Sequence, residues 1–171
     1  MKAQVIKSQY FKIYLHDTSF RPQSYHKNYL VLLKKKLLVM DQWIKTRIGS
    51  PQATMDIAIT LCGGKKIRSL NTKYRQKNQN TDVLSFPLEE NPIALLKKKS
   101  LPFPILCLGD IFICKEIAGR QAKKFRLSLE EEMIYLGVHG LLHLLGYDHE
   151  KNECQARVMF KEEEAITSKI F

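Results

Sequence analysis

The sequence predicts an α+β fold. Three observations predict it: an amphipathic helical stripe early in the chain, a period-two strand pattern over residues 54–61, and helical periodicity over most of residues 115–168. Strand patterns separated by helical segments occupy the earlier part of the chain, and helices occupy its end. That order is typical of the α+β class.

Apolar periodicity and turn residues place each element. Gly49 followed by Pro51 ends the first long helix, and Pro87 ends a strand. In chain order the pattern predicts a strand within residues 1–20, a helix from about 28 to 48, a strand over 54–61, a short helix over 67–74, a strand over 81–86, a loop over 89–104, a strand over 106–114, and helices over 117–125, 128–145 and 152–168. The total is four strands and about five helices.

The helix that begins after Ser128 has the clearest boundaries. Glu131 stands three residues after Ser128, which is the spacing of a capping box that satisfies two free amide donors. Gly146 suits the left-handed backbone that commonly ends a helix. In the last helix, Glu162–Glu164 is interpreted as a solvent-facing stretch.

Length and composition predict one globular domain over residues 1–171. Hydrophobic residues make up 44% and charged residues 26% of the chain, which excludes wholesale disorder and a small disulfide-stapled protein. The formal net charge of +11 makes a polyanion such as nucleic acid the first partner to consider, although a general solubility charge explains it equally well at this point. Four cysteines without a CxxC pair, no signal peptide and no long apolar run predict a cytoplasmic protein without membrane contact.

Three histidines share the segment HGLLHLLGYDH at residues 139–149. His139 and His143 are four residues apart, so a helix places both rings on one face. Gly146 lets the chain reverse and return His149 toward the same point. Three imidazole ligands leave a fourth position for water, as in catalytic zinc sites. The alternative is a set of core histidines, each of which would need its own hydrogen-bond partner.

This spacing is also that of the metzincin metalloproteases, in which a glutamate follows the first histidine and serves as general base. Gly140 occupies that position here, so a peptidase would lack its proton acceptor. A zinc ion can activate water without it. Cleavage of a phosphodiester fits better, because the positive charge of the chain favours a polyanionic substrate.

Three ordered blocks resemble the bacterial YbeY endoribonucleases, also called 16S rRNA maturation factors. They are LNTKYRQKNQNTDVLSFP at 70–87, LGDIFIC at 108–114 and HGLLHLLGYDH at 139–149, and the resemblance extends from about Met55 onward. The N-terminal 25 residues do not take part in it. Asn80 stands where many members have proline, a difference that concerns loop rigidity more than chemistry.

The resemblance implies a small mixed sheet covered by helices, with the metal site on a helix in the C-terminal half and the turn after it. It implies one zinc ion per chain held by His139, His143 and His149, with Arg75 as the basic catalytic residue. It further implies a single-strand-specific endoribonuclease that acts on ribosomal RNA, in 16S 3′-end maturation and ribosome quality control, with the ribosome or small-subunit proteins as partners.

Two other functions stay open at this stage. One is a ribosome-associated RNA-binding factor with a structural zinc, and the other is a peptidase whose base comes from elsewhere in the chain. Several further residues are not placed among the catalytic residues. Asp82, Ser85 and Asp110 are interpreted as turn caps, and Asp148 as a residue that either orients a histidine or faces water. The runs Lys34–Lys36 and Lys97–Lys99 are interpreted as solvated charges.

Overall fold

A computed structural model describes residues 3–18, 25–98 and 101–171, with side chains described from residue 28 onward in the second range. These residues form five strands and six helices. In chain order they are β1 (Gln4–Lys7), β2 (Phe11–Asp17), α1 (Tyr25–Ile48), β3 (Thr54–Cys62), α2 (Gly64–Arg75), β4 (Val83–Pro87), α3 (Pro92–Leu96), β5 (Ile105–Cys114), α4 (Lys115–Phe125), α5 (Leu129–Leu144) and α6 (Glu153–Ile170).

The strands form one mixed sheet in the order β1-β2-β3-β5-β4. The three central strands, β2, β3 and β5, run parallel, and β1 and β4 pair antiparallel at the two edges. The predicted α+β class and the mixed sheet are therefore confirmed. None of the described helices has the length and apolar character needed to cross a membrane.

The sheet has five strands instead of the four predicted, because residues 4–17 form a hairpin and not a single strand. The buried carboxylate of Asp41 on α1 holds the turn of this hairpin. It accepts hydrogen bonds from the Ser8 hydroxyl and from the backbone amides of Gln9 and Tyr10 at 2.9–3.0 Å. The stabilising partner lies more than 30 residues away, so the local pattern could not show the second strand.

The predicted loop over residues 89–104 contains the short helix α3. Pro92 occupies its first turn, where no amide donor is needed, and the Asn91 side chain accepts from the Ala94 amide. The three prolines suggested an irregular loop, but the first of them starts a helix. This is the sixth helix, one more than the sequence predicts.

Strand β5 contains a bulge that keeps its apolar side chains on one face. Asp56 pairs with Cys107 and Ile57 pairs with Gly109, so Leu108 is an extra residue in β5. Gly109 has φ +137°, and a Cβ there would lie 2.1 Å from the Phe86 carbonyl oxygen. Only glycine fits this position without moving the neighbouring strand.

Helices cover the two faces of the sheet unequally. The main core lies between one face and helices α1, α5 and α6. On the other face, Ile67 of α2 packs against Leu84 of β4 and Cys114 of β5 in a smaller cluster. Helix α5 therefore packs against β4 and β5 of the sheet and also against α6.

Candidate metal centre

Helix α5 and the turn after it bring the three predicted histidines together. The predicted capping box is present: the Ser128 hydroxyl accepts from the Glu131 amide, and the Glu131 carboxylate accepts from the Ser128 amide. After the helix, Gly146 adopts the predicted left-handed conformation with φ +93°. The chain then reverses, and one ring nitrogen each from His139, His143 and His149 lies within 4.8 Å of the others.

The spacing of these nitrogens fits a shared metal ion. The Nε2 atoms of His139 and His143 lie 3.2 Å apart. Two nitrogens bound to one zinc at about 2.0–2.1 Å with tetrahedral angles would be about 3.3 Å apart. The three rings are partly buried, with centroids 4.9–5.1 Å from one another. The group could therefore bind a metal ion, and the alternative of separate core histidines does not describe this geometry.

His143 has the protonation state that metal binding needs. Burial, and then the neighbouring His139 and His149 rings, lower the pKa of His143 from its usual value near 6.5 to about 4. At neutral pH the ring is therefore uncharged and offers a lone pair.

Glu163 is a site residue that sequence reasoning missed. Its carboxylate accepts a hydrogen bond from His139 Nδ1 at 2.8 Å and another from the Tyr135 hydroxyl at 3.0 Å. The first bond leaves His139 Nε2 free to face the other rings. A carboxylate behind a histidine ligand fixes the tautomer and the ring orientation in many metal sites.

The solvent-facing interpretation of Glu162–Glu164 is wrong for two of the three residues. Glu162 and Glu163 are only 8% and 6% exposed, and Glu164 alone is exposed. Glu162 accepts from Trp43 Nε1 at 2.9 Å and Arg47 Nε at 2.8 Å. These bonds tie α6 to α1 and hold Glu163 behind His139.

Arg75 lies at the end of α2 and lines the same cleft as the three histidines. Its guanidinium donates a hydrogen bond to the Glu150 carboxylate, one residue after His149. This bond lowers the pKa of Glu150 below its usual value, although partial burial acts in the opposite direction. The ion pair therefore joins the first sequence block to the residue that follows the third block, and Glu150 was not predicted to take part. The catalytic role of Arg75 stays a prediction.

The cleft around these residues has a volume of about 1080 Å³. Exposed aromatic rings border it: Tyr74 is 57% exposed and Phe160 is 51% exposed. Tyr74 meets Phe86 edge-on with ring centroids 5.0 Å apart, and Phe160 lies nearly parallel to His149, at 18° and 5.8 Å. The cleft thus combines imidazole nitrogens, a guanidinium and two accessible aromatic faces.

Three of the four weaker candidates outside the lysine runs line the cleft, and the fourth does not. Asp82 and Ser85 line the cleft, but Asp82 accepts from the Val83 amide at 2.8 Å and from Gln121 Nε2 at 2.9 Å, which gives it a structural role. Asp148 also lines the cleft and accepts from the Glu150 amide. Asp110 is exposed and does not line the cleft.

The described lysines of the two runs do not line the cleft. Lys34 and Lys35 are exposed on α1, whereas Lys36 donates to the Ile170 carbonyl. Lys97 and Lys98 are exposed after α3. Lys99 lies outside the described residues. The reading of most of these side chains as solvated charges agrees with these positions.

Gly140 is a point of close contact between α5 and the sheet. A Cβ at this position would lie 2.8 Å from Ile111 Cγ2 and 3.0 Å from Ser85 Oγ. The glutamate of the metzincins would therefore clash here. The structure gives a steric reason for the missing base, which disfavours the peptidase alternative.

Fold and site together define an α+β protein with a three-histidine site suited to a metal ion. The chain belongs to the endoribonuclease YbeY family, whose sequence profile matches residues 25–170 under the description "Endoribonuclease YbeY". Curated relatives with that name include those of Sulfurihydrogenibium sp. strain YO3AOP1, 41% identical over 68% of this chain and 70% of the relative, and Heliobacterium modesticaldum, 44% identical over 70% and 72%.

A solved structure has a similar fold. The solution structure of TM1509 from Thermotoga maritima superposes with a TM-score of 0.54 at 25% identity, over 91% of this chain and 88% of that chain. The match includes most of the N-terminal half, where the sequence pattern was hardest to interpret. The family profile and the named relatives confirm the family resemblance found in the three sequence blocks.

Proposed function

We propose that this chain is a zinc-dependent endoribonuclease that cleaves single-stranded RNA. One observation carries the proposal: ring nitrogens of His139, His143 and His149 lie within 4.8 Å of one another, in the cleft that Arg75 also lines. Membership of the endoribonuclease YbeY family supports RNA as the substrate.

The donor set supports zinc as the ion. Three neutral imidazoles suit zinc, and the side of the group that faces the cleft leaves room for water. A zinc ion bound there would polarise a phosphate oxygen and lower the pKa of water. Glu163 keeps His139 in the tautomer that binding needs, and the low pKa of His143 removes competition from a proton.

Arg75 supplies the fixed positive charge for the phosphate. Its planar guanidinium can donate two parallel hydrogen bonds to phosphate oxygens. Because the Glu150 carboxylate already accepts from this group, an incoming phosphate takes the place of that carboxylate. Before RNA binds, the hydrogen bond to Glu150 holds the Arg75 guanidinium in the cleft lining.

The exposed rings of Tyr74 and Phe160 support a preference for single strands. Unpaired bases can stack on accessible aromatic faces, whereas the bases of a duplex are already stacked on one another. Both rings line the cleft, one beside Arg75 in sequence and one on the face of His149.

Ribosomal RNA is the proposed biological substrate. The proposed roles of the enzyme are 16S 3′-end maturation and ribosome quality control, and its proposed partners are the ribosome or small-subunit proteins. The resemblance to the 16S rRNA maturation factors supports this assignment, and a cytoplasmic location goes with it.

We also assign residues 1–171 to one domain, because the main core contains residues from Ile6 in β1 to Ile170 in α6.

The test is a zinc analysis paired with cleavage assays on single-stranded ribosomal RNA. Arg75→Ala and His143→Ala should lower the cleavage rate by about a hundredfold or more, as expected when a charge-stabilising group is lost. Arg157→Ala, an exposed arginine on α6 that is absent from the cleft lining and lies outside α2 and α4, serves as control and should keep the wild-type rate. Wild-type protein with one zinc per chain that leaves the RNA intact would refute the proposal.

Thermal unfolding of the His143→Ala variant, and of wild-type protein treated with a chelator, tests the alternative that the zinc is structural. If zinc only supports the fold, His143→Ala and chelation should abolish cooperative thermal unfolding. If the site is catalytic, both should leave a cooperative transition while cleavage is lost.

A further inference from the structure

The positive charge of this chain is concentrated outside the cleft. Helices α2 and α4 together carry nine basic residues and one acidic residue, Glu116, a formal +8 of the chain's +11. The two helices pack against each other. Their exposed basic side chains form what is called here the basic surface: Lys65, Lys66, Arg68, Lys73, Arg75, Arg120, Lys123 and Lys124.

The cleft has the opposite charge. Among the described residues, its lining includes only two lysines or arginines, Arg75 and Lys151. Six carboxylates line it as well: Asp82, Glu89, Glu90, Asp148, Glu150 and Glu163. Such a lining favours a metal cation, but it repels the phosphates of an RNA chain. The cleft alone therefore provides poor electrostatic attraction for a polyanion.

Arg75 connects the two regions. It ends α2 and lines the cleft, while the rest of α2 leads away from it. A helix of 12 residues is about 18 Å long, so its first lysines lie farther from Arg75 than the screening distance of about 8–10 Å at moderate salt. The Glu150 carboxylate that pairs with Arg75 consequently does not neutralise the far end of α2.

We propose that the basic surface of α2 and α4 binds the phosphate backbone of RNA next to the segment that enters the cleft. This inference rests on the proposed function and adds a second binding region to it. The surface supplies affinity through phosphate contacts, and the cleft holds only the few nucleotides around the cleaved bond. Long RNAs should therefore bind much more tightly than RNAs no longer than the cleft.

Charge reversal on α4 tests the surface without touching the cleft. Arg120→Glu with Lys124→Glu changes two exposed residues that are four positions apart on one helix and absent from the cleft lining. The matched control is Lys34→Glu with Lys45→Glu, which makes the same charge change on α1. Helix α1 packs on the main core, on the other face of the sheet from α2.

The measurement is fluorescence anisotropy with zinc-loaded protein and single-stranded RNAs of about 30 and about 4 nucleotides, at several salt concentrations. Losing two phosphate contacts should lower the affinity for the long RNA about 25-fold at about 0.1 M salt and reduce the slope of log K against log salt by about 1.4. The α1 double variant should keep wild-type affinity for the long RNA. The wild type and both double variants should bind and cleave the short RNA equally.

If the α4 and α1 double variants lose affinity for the long RNA equally, or if neither loses affinity, the basic surface is not a binding region for RNA. Failure of the proposed function is distinguishable from this result. In that case wild-type protein cleaves neither RNA, while the binding measurements still decide whether α2 and α4 hold the backbone.

Discussion

Replacing Glu163 by glutamine tests how far the carboxylate behind His139 contributes to the proposed binding of zinc by the three histidines. The substitution keeps the size and shape of the side chain but removes its charge. In the native protein this carboxylate accepts from His139 Nδ1 at 2.8 Å and from the Tyr135 hydroxyl at 3.0 Å. The glutamine can still accept from His139, so the expected effect is a weaker orientation of the ring and not its loss.

The size of the effect follows from the hydrogen bond that changes. A hydrogen bond to a charged group contributes about 1.5–3 kcal/mol, and one between neutral groups contributes about 0.5–1.5 kcal/mol. The difference of about 1–1.5 kcal/mol corresponds to an approximately tenfold loss of zinc affinity. That value lies at the lower end of the roughly 10–100-fold effects found for groups behind metal ligands.

Competition with a chromophoric chelator measures the zinc affinity directly, without reference to cleavage. Glu164→Gln is the matched control, because Glu164 is an exposed neighbour on α6 with the same chemistry. Tyr135→Phe removes only the second hydrogen bond and should have a smaller effect than Glu163→Gln. Equal zinc affinity in Glu163→Gln, Glu164→Gln and the wild type would show that the carboxylate does not act on the metal site.

The remaining predictions concern stability, measured as the free energy of unfolding in urea. Gly140→Ala should lower the free energy of unfolding by about 1–3 kcal/mol, because the new Cβ would lie 2.8–3.1 Å from neighbouring atoms. The control is Gly137→Ala on the same helix, where the Cβ enters open space and should raise the free energy of unfolding by up to about 1 kcal/mol. Equal effects of the two substitutions would contradict the close packing at Gly140. Burial raises the pKa of Glu132, so the charged carboxylate is less favourable in the folded than in the unfolded state, and Glu132→Gln should stabilise the fold at pH 7. This gain in stability should disappear below about pH 4, where the carboxyl is protonated in the unfolded state too. A gain that persists at low pH would contradict this explanation. Asp41→Ala should lower stability by about 3 kcal/mol because two backbone amides and a hydroxyl lose their acceptor, with Gln42→Ala, an exposed neighbour, as a near-neutral control.

Local signals predicted the centre of the site well. The i, i+4 spacing of His139 and His143, the capping box at Ser128 and the left-handed Gly146 each depend on a few neighbouring residues. Helix geometry and backbone sterics determine where such residues point, whatever packs around them. The sequence blocks therefore predicted both the family and the meeting of the three rings.

The features that were missed depend on contacts between distant parts of the chain. Glu163 is 24 residues from His139, and Glu150 is 75 residues from Arg75. The second strand of the N-terminal hairpin is stabilised by Asp41, over 30 residues away. Nothing in a run of three glutamates shows which of them faces a buried ring, because that depends on how α6 packs against α1 and α5.

Gly140 shows how packing restricts the chemistry of a metal-binding motif. The spacing of the three histidines is shared with the metzincins and by itself allows peptide hydrolysis. Here α5 lies so close to the sheet that Ile111 and Ser85 occupy the space a side chain would need. That contact removes the general base of a peptidase and at the same time sets the position of the histidine helix over β4 and β5. Arg75, brought to the cleft by α2, then supplies a charge suited to phosphate, so the neighbours of the three rings distinguish this site from a peptidase site with the same spacing.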